Sequence, residues 1–231
     1  VITKDPVVSY VPLYVRDGMI STQYIMTTLE ELGLLKMDFL GLRTLTVIQD
    51  TINLVKQNRG IDVEFDKDMN DPKVYKLWGE GKSVGIFQFE SAGMTNFMKE
   101  LKPDSLEDII AGVSLYRPGP MENIPSFLHN RMHPEDITYL HPKLVPILKE
   151  TSGIIIYQEQ IMSIARELSS FSYGKADILR KAMSKKKMDE LKGLEEDFIK
   201  GAIKNNISEE VAHKIYDMIL KFANYGFNKS H

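Results

Sequence analysis

The stretch LKMDFLGLRTLT at residues 35–46 divides the chain into two patterns of sequence. Before it, residues 7–38 contain short runs rich in Val, Tyr and Ile, which favour β-strands. After Gly41, apolar residues recur at spacings of three and four, beginning with Leu45, Ile48 and Ile52, and this is the period of a helix. We therefore predict an α+β fold, with a short β-rich segment at residues 1–41 and a mostly α-helical segment at residues 42–231.

Turn residues indicate how the β-rich segment is arranged. Asp17-Gly18 lies between two apolar runs, and this dipeptide is typical of a tight hairpin turn. Pro12 lacks a backbone donor, so the first run is predicted to be an edge strand. Residues 32–39 are apolar enough for a further, half-buried strand.

Capping residues indicate where the helices begin and end. Gly60 is the predicted stop of the helix that follows residue 42, because glycine adopts the left-handed conformation found after many helices. Asp71 stands before Pro72, and Ser105 stands before an acidic first turn. Both are therefore predicted N-caps, and Ser208 is predicted to cap the last helix.

Lys36 and Asp38 are the first candidates for chemistry. In an extended chain, side chains two residues apart point to the same side, so an ammonium and a carboxylate are predicted to project together. A carboxylate can ligate Mg²⁺ and an ammonium can bind a phosphate oxygen. The spacing alone is more typical of an exposed ion pair on an edge strand than of such a site.

Composition restricts the class of protein. The 231 residues include no Cys, and the formal net charge is −3. Disulfide frameworks and thiolate metal sites are therefore excluded. No apolar run is long enough to cross a bilayer, and the first residues lack the pattern of a signal peptide. We expect a cytoplasmic protein without a membrane partner, and the missing initiator Met indicates a fragment of a longer chain.

One basic patch interrupts this acidic sequence. Residues 175–187 contain six basic residues and a single acid, Asp177. A run of charge is often only a solvated helix face, but a local basic patch on an acidic chain also suits a polyanion such as DNA.

Several motifs together resemble one protein family. The opening stretch is followed, in order, by GIFQFES at 85–91, SLYRPGP at 114–120, GIIIYQEQ at 153–160, LRKAMSKKK at 179–187 and YGFNKSH at 225–231. This series resembles the C-family replicative DNA polymerases of bacteria, whose catalytic chain is the alpha subunit of DNA polymerase III. The motifs cover nearly the whole chain in the order that the family has them.

The resemblance implies that residues 1–41 are the C-terminal part of a polymerase palm and that residues 42–231 are the fingers domain. Such polymerases transfer a nucleotidyl group from a dNTP to a primer 3′-hydroxyl with the help of two Mg²⁺ ions. By similarity, Asp38 is one of three metal-binding carboxylates, and Lys36 lies beside the reacting phosphates. The other two carboxylates belong to upstream palm sequence, so we expect the isolated fragment to be inactive.

The resemblance also implies a nucleotide site on the fingers. It assigns Arg180 and Lys181 to the phosphates of the incoming nucleotide, where other family members carry two arginines. Lysine lacks the planar fork of arginine, so the contact of Lys181 differs from the family pattern. Arg117, Asn228 and Lys229 are further candidates for nucleotide binding. The candidates for DNA backbone contact are Lys185, Lys186 and Lys187.

The expected partners are primer–template DNA, dNTPs and, in the parent protein, other replicase subunits including a sliding clamp. His231 is either a general acid or an exposed histidine at the end of the chain. Two rival functions stay open: a non-catalytic helical nucleic-acid-binding module, and a protein-interaction domain whose basic helix binds an acidic partner.

Overall fold

A computed structural model describes residues 1–39, 41–65, 67–184, 188–222 and 226–230. The chain divides into two compact units, Val1–Glu64 and Phe65–His231. The first holds a two-stranded antiparallel sheet, and the second is built mainly from helices. The predicted α+β class, mostly helical after a small β-rich part, is confirmed.

A short hairpin is the sheet of the first unit. Strands β1 (Leu13–Arg16) and β2 (Met19–Thr22) pair antiparallel with Arg16 opposite Met19. The two residues between them, Asp17 and Gly18, have φ of 51° and 77°. Positive φ at both central positions is what a type I′ turn requires, so the predicted turn is confirmed. Helix α1 (Met26–Glu31) follows the hairpin.

The predicted strand at residues 32–39 is wrong. The segment has no regular ladder, and its one β-type pairing is an isolated antiparallel bridge between Leu35 and Ile2. The backbone amides of Gly33 and Leu34 donate instead to carbonyls of α1, those of Glu30 and Leu29. Because these amides complete the end of a helix, they cannot also form a strand ladder.

Helix α2 (Arg43–Arg59) confirms the helix predicted after Gly41. It ends at Gly60, which adopts φ of 66° and donates its amide to the Lys56 carbonyl. The apolar spacing does not mark a core face within this unit, because no residue of α2 is buried and Leu45 is 64% exposed.

In the first half of the second unit, the described residues form four helices around one apolar core. Asp71 and Ser105 cap their helices as predicted, because their side chains accept hydrogen bonds from the amides of Lys73 and Asp108. The core includes Met98 and Phe127, which are almost completely buried. The helices are α3 (Pro72–Gly79), α4 (Ala92–Leu101), α5 (Leu106–Leu115) and α6 (Ile124–Met132).

In the second half, the part of the chain that the structure describes packs five further helices around a larger core. Phe198 and Tyr216 are fully buried in this core, and the Tyr216 hydroxyl donates to the Leu191 carbonyl over 2.8 Å. Gly201 permits close helix packing, since a Cβ there would lie 2.3 Å from the Ser169 carbonyl oxygen. The helices are α7 (Val145–Leu148), α8 (Gln158–Ser169), α9 (Tyr173–Ser184), α10 (Met188–Lys204) and α11 (Glu209–Phe222).

Short 3₁₀ turns connect several of these elements. They lie at Val7–Ser9, Pro120–Asn123, Pro134–Asp136, Pro142–Leu144 and Lys149–Thr151. None of the helices that the structure describes is both long enough and apolar enough to cross a membrane.

Candidate functional site

Lys36 and Asp38 meet in the first unit, as their spacing predicts. The Lys36 ammonium lies 3.3 Å from both carboxylate oxygens of Asp38. Residues 36–38 belong to no regular strand or helix, and the contact between the two side chains agrees with their two-residue spacing. Asp38 is 74% exposed and Lys36 is 26% exposed at the side chain. The carboxylate therefore remains accessible to solvent.

A single carboxylate does not make a magnesium site. Mg²⁺ prefers octahedral coordination by oxygen atoms. Within the described ranges, no three His, Cys, Asp or Glu side chains are grouped so that they could hold a metal ion. The residues present here therefore do not fit a resident Mg²⁺ without carboxylates from elsewhere.

The second unit places the basic pair Arg180 and Lys181 around one carboxylate. Asp177, one turn earlier on α9, accepts hydrogen bonds from Arg180 Nε at 2.9 Å and Nη2 at 2.7 Å through Oδ1. Its other oxygen, Oδ2, lies 2.7 Å from Lys181 Nζ. The hydrogen bonds from Lys181 and Arg180 lower the pKa of Asp177. The two cations thus converge on one small anion, although consecutive helical residues point about 100° apart.

Arg180 and Lys181 differ in how they are held. The Arg180 side chain is 26% exposed, whereas that of Lys181 is 60% exposed. Arg180 also donates through Nη1 to the Gln158 amide oxygen at 3.3 Å, at the start of α8. The arginine is therefore fixed from two directions, and the lysine projects into solvent.

Residues 226–230 pack against the first turn of α8. The Phe227 amide donates to the Ile156 carbonyl and the Gln158 amide donates to the Phe227 carbonyl, each over 2.9 Å. These bonds make a parallel bridge between Tyr157 and Phe227. The Gln158 side chain adds a third bond, from Nε2 to the Gly226 carbonyl at 3.1 Å. The YQEQ motif and residues 226–230, far apart in sequence, thus form one local structure.

Glu159 holds the far end of this segment. Its carboxylate accepts hydrogen bonds from the backbone amides of Lys229 and Ser230 at 3.2 and 3.1 Å, and from the Ser230 hydroxyl at 2.7 Å. Burial raises the pKa of Glu159, but these hydrogen bonds outweigh burial and leave the pKa below its ordinary value. Lys229 pairs with Glu150. Asn228 is exposed and makes no side-chain hydrogen bond within the described residues.

Arg117 reaches the same segment from the end of α5. Its guanidinium carbon lies 4.8 Å from the centre of the Phe227 ring, and its Nε donates to the Ser114 carbonyl over 3.1 Å. Burial lowers the pKa of Arg117. Arg117, Arg180 and Lys229 are therefore all arranged around the first turn of α8 and the segment 226–230. Lys185, Lys186, Lys187 and His231 lie outside the described residues.

Comparison with known proteins shows the family to which the chain belongs. Residues 44–206 match the family model of the bacterial DNA polymerase III alpha subunit finger domain, which is more than half of the chain. The chain belongs to the bacterial DNA polymerase III alpha subunit family. Residues 1–41 match a second model, the bacterial DNA polymerase III alpha NTPase domain.

Individual relatives extend over the whole chain. It is 49% identical over 232 residues to the DNA polymerase III subunit alpha of Staphylococcus aureus strain COL, covering 100% of this chain and 22% of the relative. It is also 49% identical over 234 residues to the protein of the same name from Borreliella burgdorferi, covering 100% of this chain and 20% of the relative. The chain thus spans about a fifth of the length of these DNA polymerase III alpha subunits.

No role was predicted for the polar side chains that follow the apolar run at residues 153–156. Gln158 and Glu159 hold residues 226–230. The buried Gln160 amide accepts from the amides of Ile156 and Tyr157, at 2.8 and 3.0 Å. The sequence did contain a signal for these contacts: the three polar residues of the YQEQ motif directly follow a buried run. Buried polar groups need hydrogen-bond partners.

Glu159→Gln in the full-length parent is expected to loosen residues 226–230. Amides bond a carboxylate more strongly than a neutral carbonyl, so exchange of the Lys229 and Ser230 amides with solvent should quicken by roughly three- to tenfold. Hydrogen exchange with mass spectrometry measures this. Glu150→Gln is the matched control, since it removes the Lys229 ion pair and leaves both amide bonds in place.

The same contact predicts a dependence on pH. Because the folded-state pKa of Glu159 is lowered, its stabilisation is fully present above the ordinary carboxyl pKa and is lost as pH falls through the lowered value. Protection of the two amides should therefore decrease with acid in the wild-type protein and vary less in Glu159→Gln. Equal protection in both proteins at neutral pH would contradict the role of Glu159.

Proposed function

We propose that the chain is the part of a template-directed bacterial DNA polymerase that binds the phosphates of the incoming nucleotide and supplies one catalytic carboxylate. The observation that carries this proposal is the convergence of Arg180 and Lys181 on the Asp177 carboxylate. Oxygens of a triphosphate are also negatively charged hydrogen-bond acceptors, so they can bind the same two side chains. Binding of a nucleotide would therefore exchange one anion for another.

We assign the remaining second-unit candidates to the nucleotide or to the DNA. Arg117 is half-buried against Phe227, where its charge is incompletely solvated and attracts an anion more strongly than an exposed arginine does. Asn228, the residue after Phe227, is exposed. Its side-chain amide could bind a base or sugar of the nucleotide. Lys229 is engaged with Glu150, so we assign it a weaker role in nucleotide binding. Lys185, Lys186 and Lys187 are proposed to attract the DNA backbone through charge.

In the first unit, Asp38 is proposed to be one carboxylate of the catalytic site, with Lys36 adjacent to the reacting phosphates. Two Mg²⁺ ions would stabilise the attacking and leaving oxygens of nucleotidyl transfer, and the other carboxylates would come from the rest of the parent. We propose that residues 1–41 belong to the palm and residues 42–231 to the fingers. In the parent, the partners would be dNTPs, primer–template DNA and other replicase subunits including a sliding clamp.

The isolated 231-residue chain is expected to show no polymerase activity. It provides one of three expected carboxylates, and no acidic or histidine cluster able to hold a metal ion occurs among the described residues. Primer extension with purified fragment, Mg²⁺ and all four dNTPs measures this, with the full-length parent as the active control. Circular dichroism should show that the fragment is helical. Reproducible extension by the fragment would contradict the proposed division of the active site.

A further inference from the structure

Gln158 connects two parts of the proposed nucleotide site. Its amide oxygen accepts a hydrogen bond from Arg180 Nη1 at 3.3 Å, across 22 residues of sequence. Its amide nitrogen donates to the Gly226 carbonyl at 3.1 Å, across 68 residues. A primary amide has one acceptor end and one donor end, and here each end is used by a different element. The side chain therefore fixes the distance between Arg180 and the segment 226–230.

The backbone also packs closely around Gln158. A Cβ on Gly226 would lie 3.0 Å from Gln158 Cγ, tighter than ordinary contact. The backbone N–H of Gln158 donates a hydrogen bond to the Phe227 carbonyl. The side chain is half-buried, so its torsions are restricted by neighbours on both sides. A restricted side chain can hold a partner in a defined orientation.

We propose that Gln158 is a positioning residue for nucleotide binding: it aligns the Arg180 guanidinium with residues 226–230. The inference rests on the proposed function, because it assumes that Arg180 binds the nucleotide phosphates. Gln158 itself touches no phosphate in this role. It acts by keeping Arg180 in one orientation, so that less rotational freedom is lost when the nucleotide binds.

Charge explains why a neutral amide suits this position. Asp177 already balances Arg180 on its other side. A glutamate at position 158 would place a second carboxylate on the arginine and would repel both the Gly226 carbonyl and a triphosphate. A lysine would repel Arg180. Glutamine orients the arginine and leaves its positive charge for an incoming anion.

A double-mutant cycle in the full-length parent tests this. Gln158→Met keeps the length of the side chain and removes both hydrogen bonds. The Michaelis constant for dNTP should rise by roughly three- to tenfold, with unchanged affinity for primer–template DNA. In an Arg180→Ala background, the same substitution should add less than about a twofold change. A residue with only a structural role would reduce activity equally in both backgrounds, and that result would overturn the proposal.

Two further measurements keep the outcome clear. Thermal unfolding of each variant checks folding, and Gln158→Glu provides a second substitution of similar size, which should raise the Michaelis constant more than Gln158→Met does. If Arg180→Ala raises the Michaelis constant and neither Gln158 variant does, the positioning role is wrong and the proposed function stands. If Arg180→Ala itself leaves the Michaelis constant unchanged, the proposed nucleotide role of Arg180 and the positioning role fail together.

Discussion

Asp38→Asn in the full-length parent polymerase should reduce the rate of nucleotide addition by at least about a thousandfold. The substitution preserves the shape of the side chain and removes the charge that a divalent cation requires. Stabilisation by metal ions contributes several kcal/mol to such reactions, and about 1.4 kcal/mol corresponds to a factor of ten. Affinity for primer–template DNA should remain nearly normal, because it comes from many backbone contacts elsewhere.

Because Asp38 is exposed, a loss of activity in Asp38→Asn can be assigned to catalysis rather than to folding. Its side chain is 74% exposed, and its partner in the structure is Lys36. An exposed ion pair contributes little to folding, so a loss of activity would not reflect unfolding. Lys36→Ala should slow turnover less than Asp38→Asn does, because water can partly replace an ammonium.

Asp62→Asn is the matched control for Asp38→Asn. Asp62 is also an exposed aspartate paired with a lysine, 2.6 Å from Lys56 Nζ. Single-turnover extension and DNA-binding titrations should show near wild-type behaviour for Asp62→Asn. Near-normal turnover of Asp38→Asn would instead identify Asp38 as an ordinary ion-pair residue.

Short-range signals were sufficient for much of the secondary structure. The Asp17-Gly18 turn, the caps at Asp71 and Ser105 and the stop at Gly60 depend on residues within one turn of each other. The strand prediction at residues 32–39 was wrong because a strand depends on residues far away in sequence. An apolar run is compatible with a strand, but a strand also needs a partner along its length, and local sequence does not report whether one is present.

In the candidate site, too, contacts between near neighbours in sequence were predicted and contacts between distant residues were not. The pairing of Lys36 with Asp38 followed from a spacing of two residues. The hydrogen bonds of Gln158 and Glu159 join residues 22 to 71 positions apart, and no periodicity reports such contacts. The sequence does identify Asp177 as the single acid of the basic patch. Its position between Arg180 and Lys181 depends on their side-chain conformations as well as on their spacing along α9.

Arg180→Ala and Lys181→Ala in the parent should both raise the Michaelis constant for dNTP, and Arg180 should have the larger effect. A charge-assisted contact to phosphate in a partly desolvated site is worth about 1.5–3 kcal/mol, which corresponds to roughly ten- to a hundredfold. Arg180 is 26% exposed and is held by Gln158, whereas Lys181 is 60% exposed. The arginine fork can bind two phosphate oxygens, while the lysine offers one point charge that solvent screens.

Steady-state kinetics at fixed primer–template concentration measure this difference. Lys214→Ala is the control for loss of one positive charge, since Lys214 is an exposed lysine paired with Glu210 on α11. It should leave the nucleotide dependence unchanged. If both α9 variants instead keep a normal Michaelis constant and lose affinity for DNA, this helix contacts the nucleic-acid backbone. The fingers would then function as a helical nucleic-acid-binding module, because their basic pair would bind the phosphates of the strand rather than those of the nucleotide.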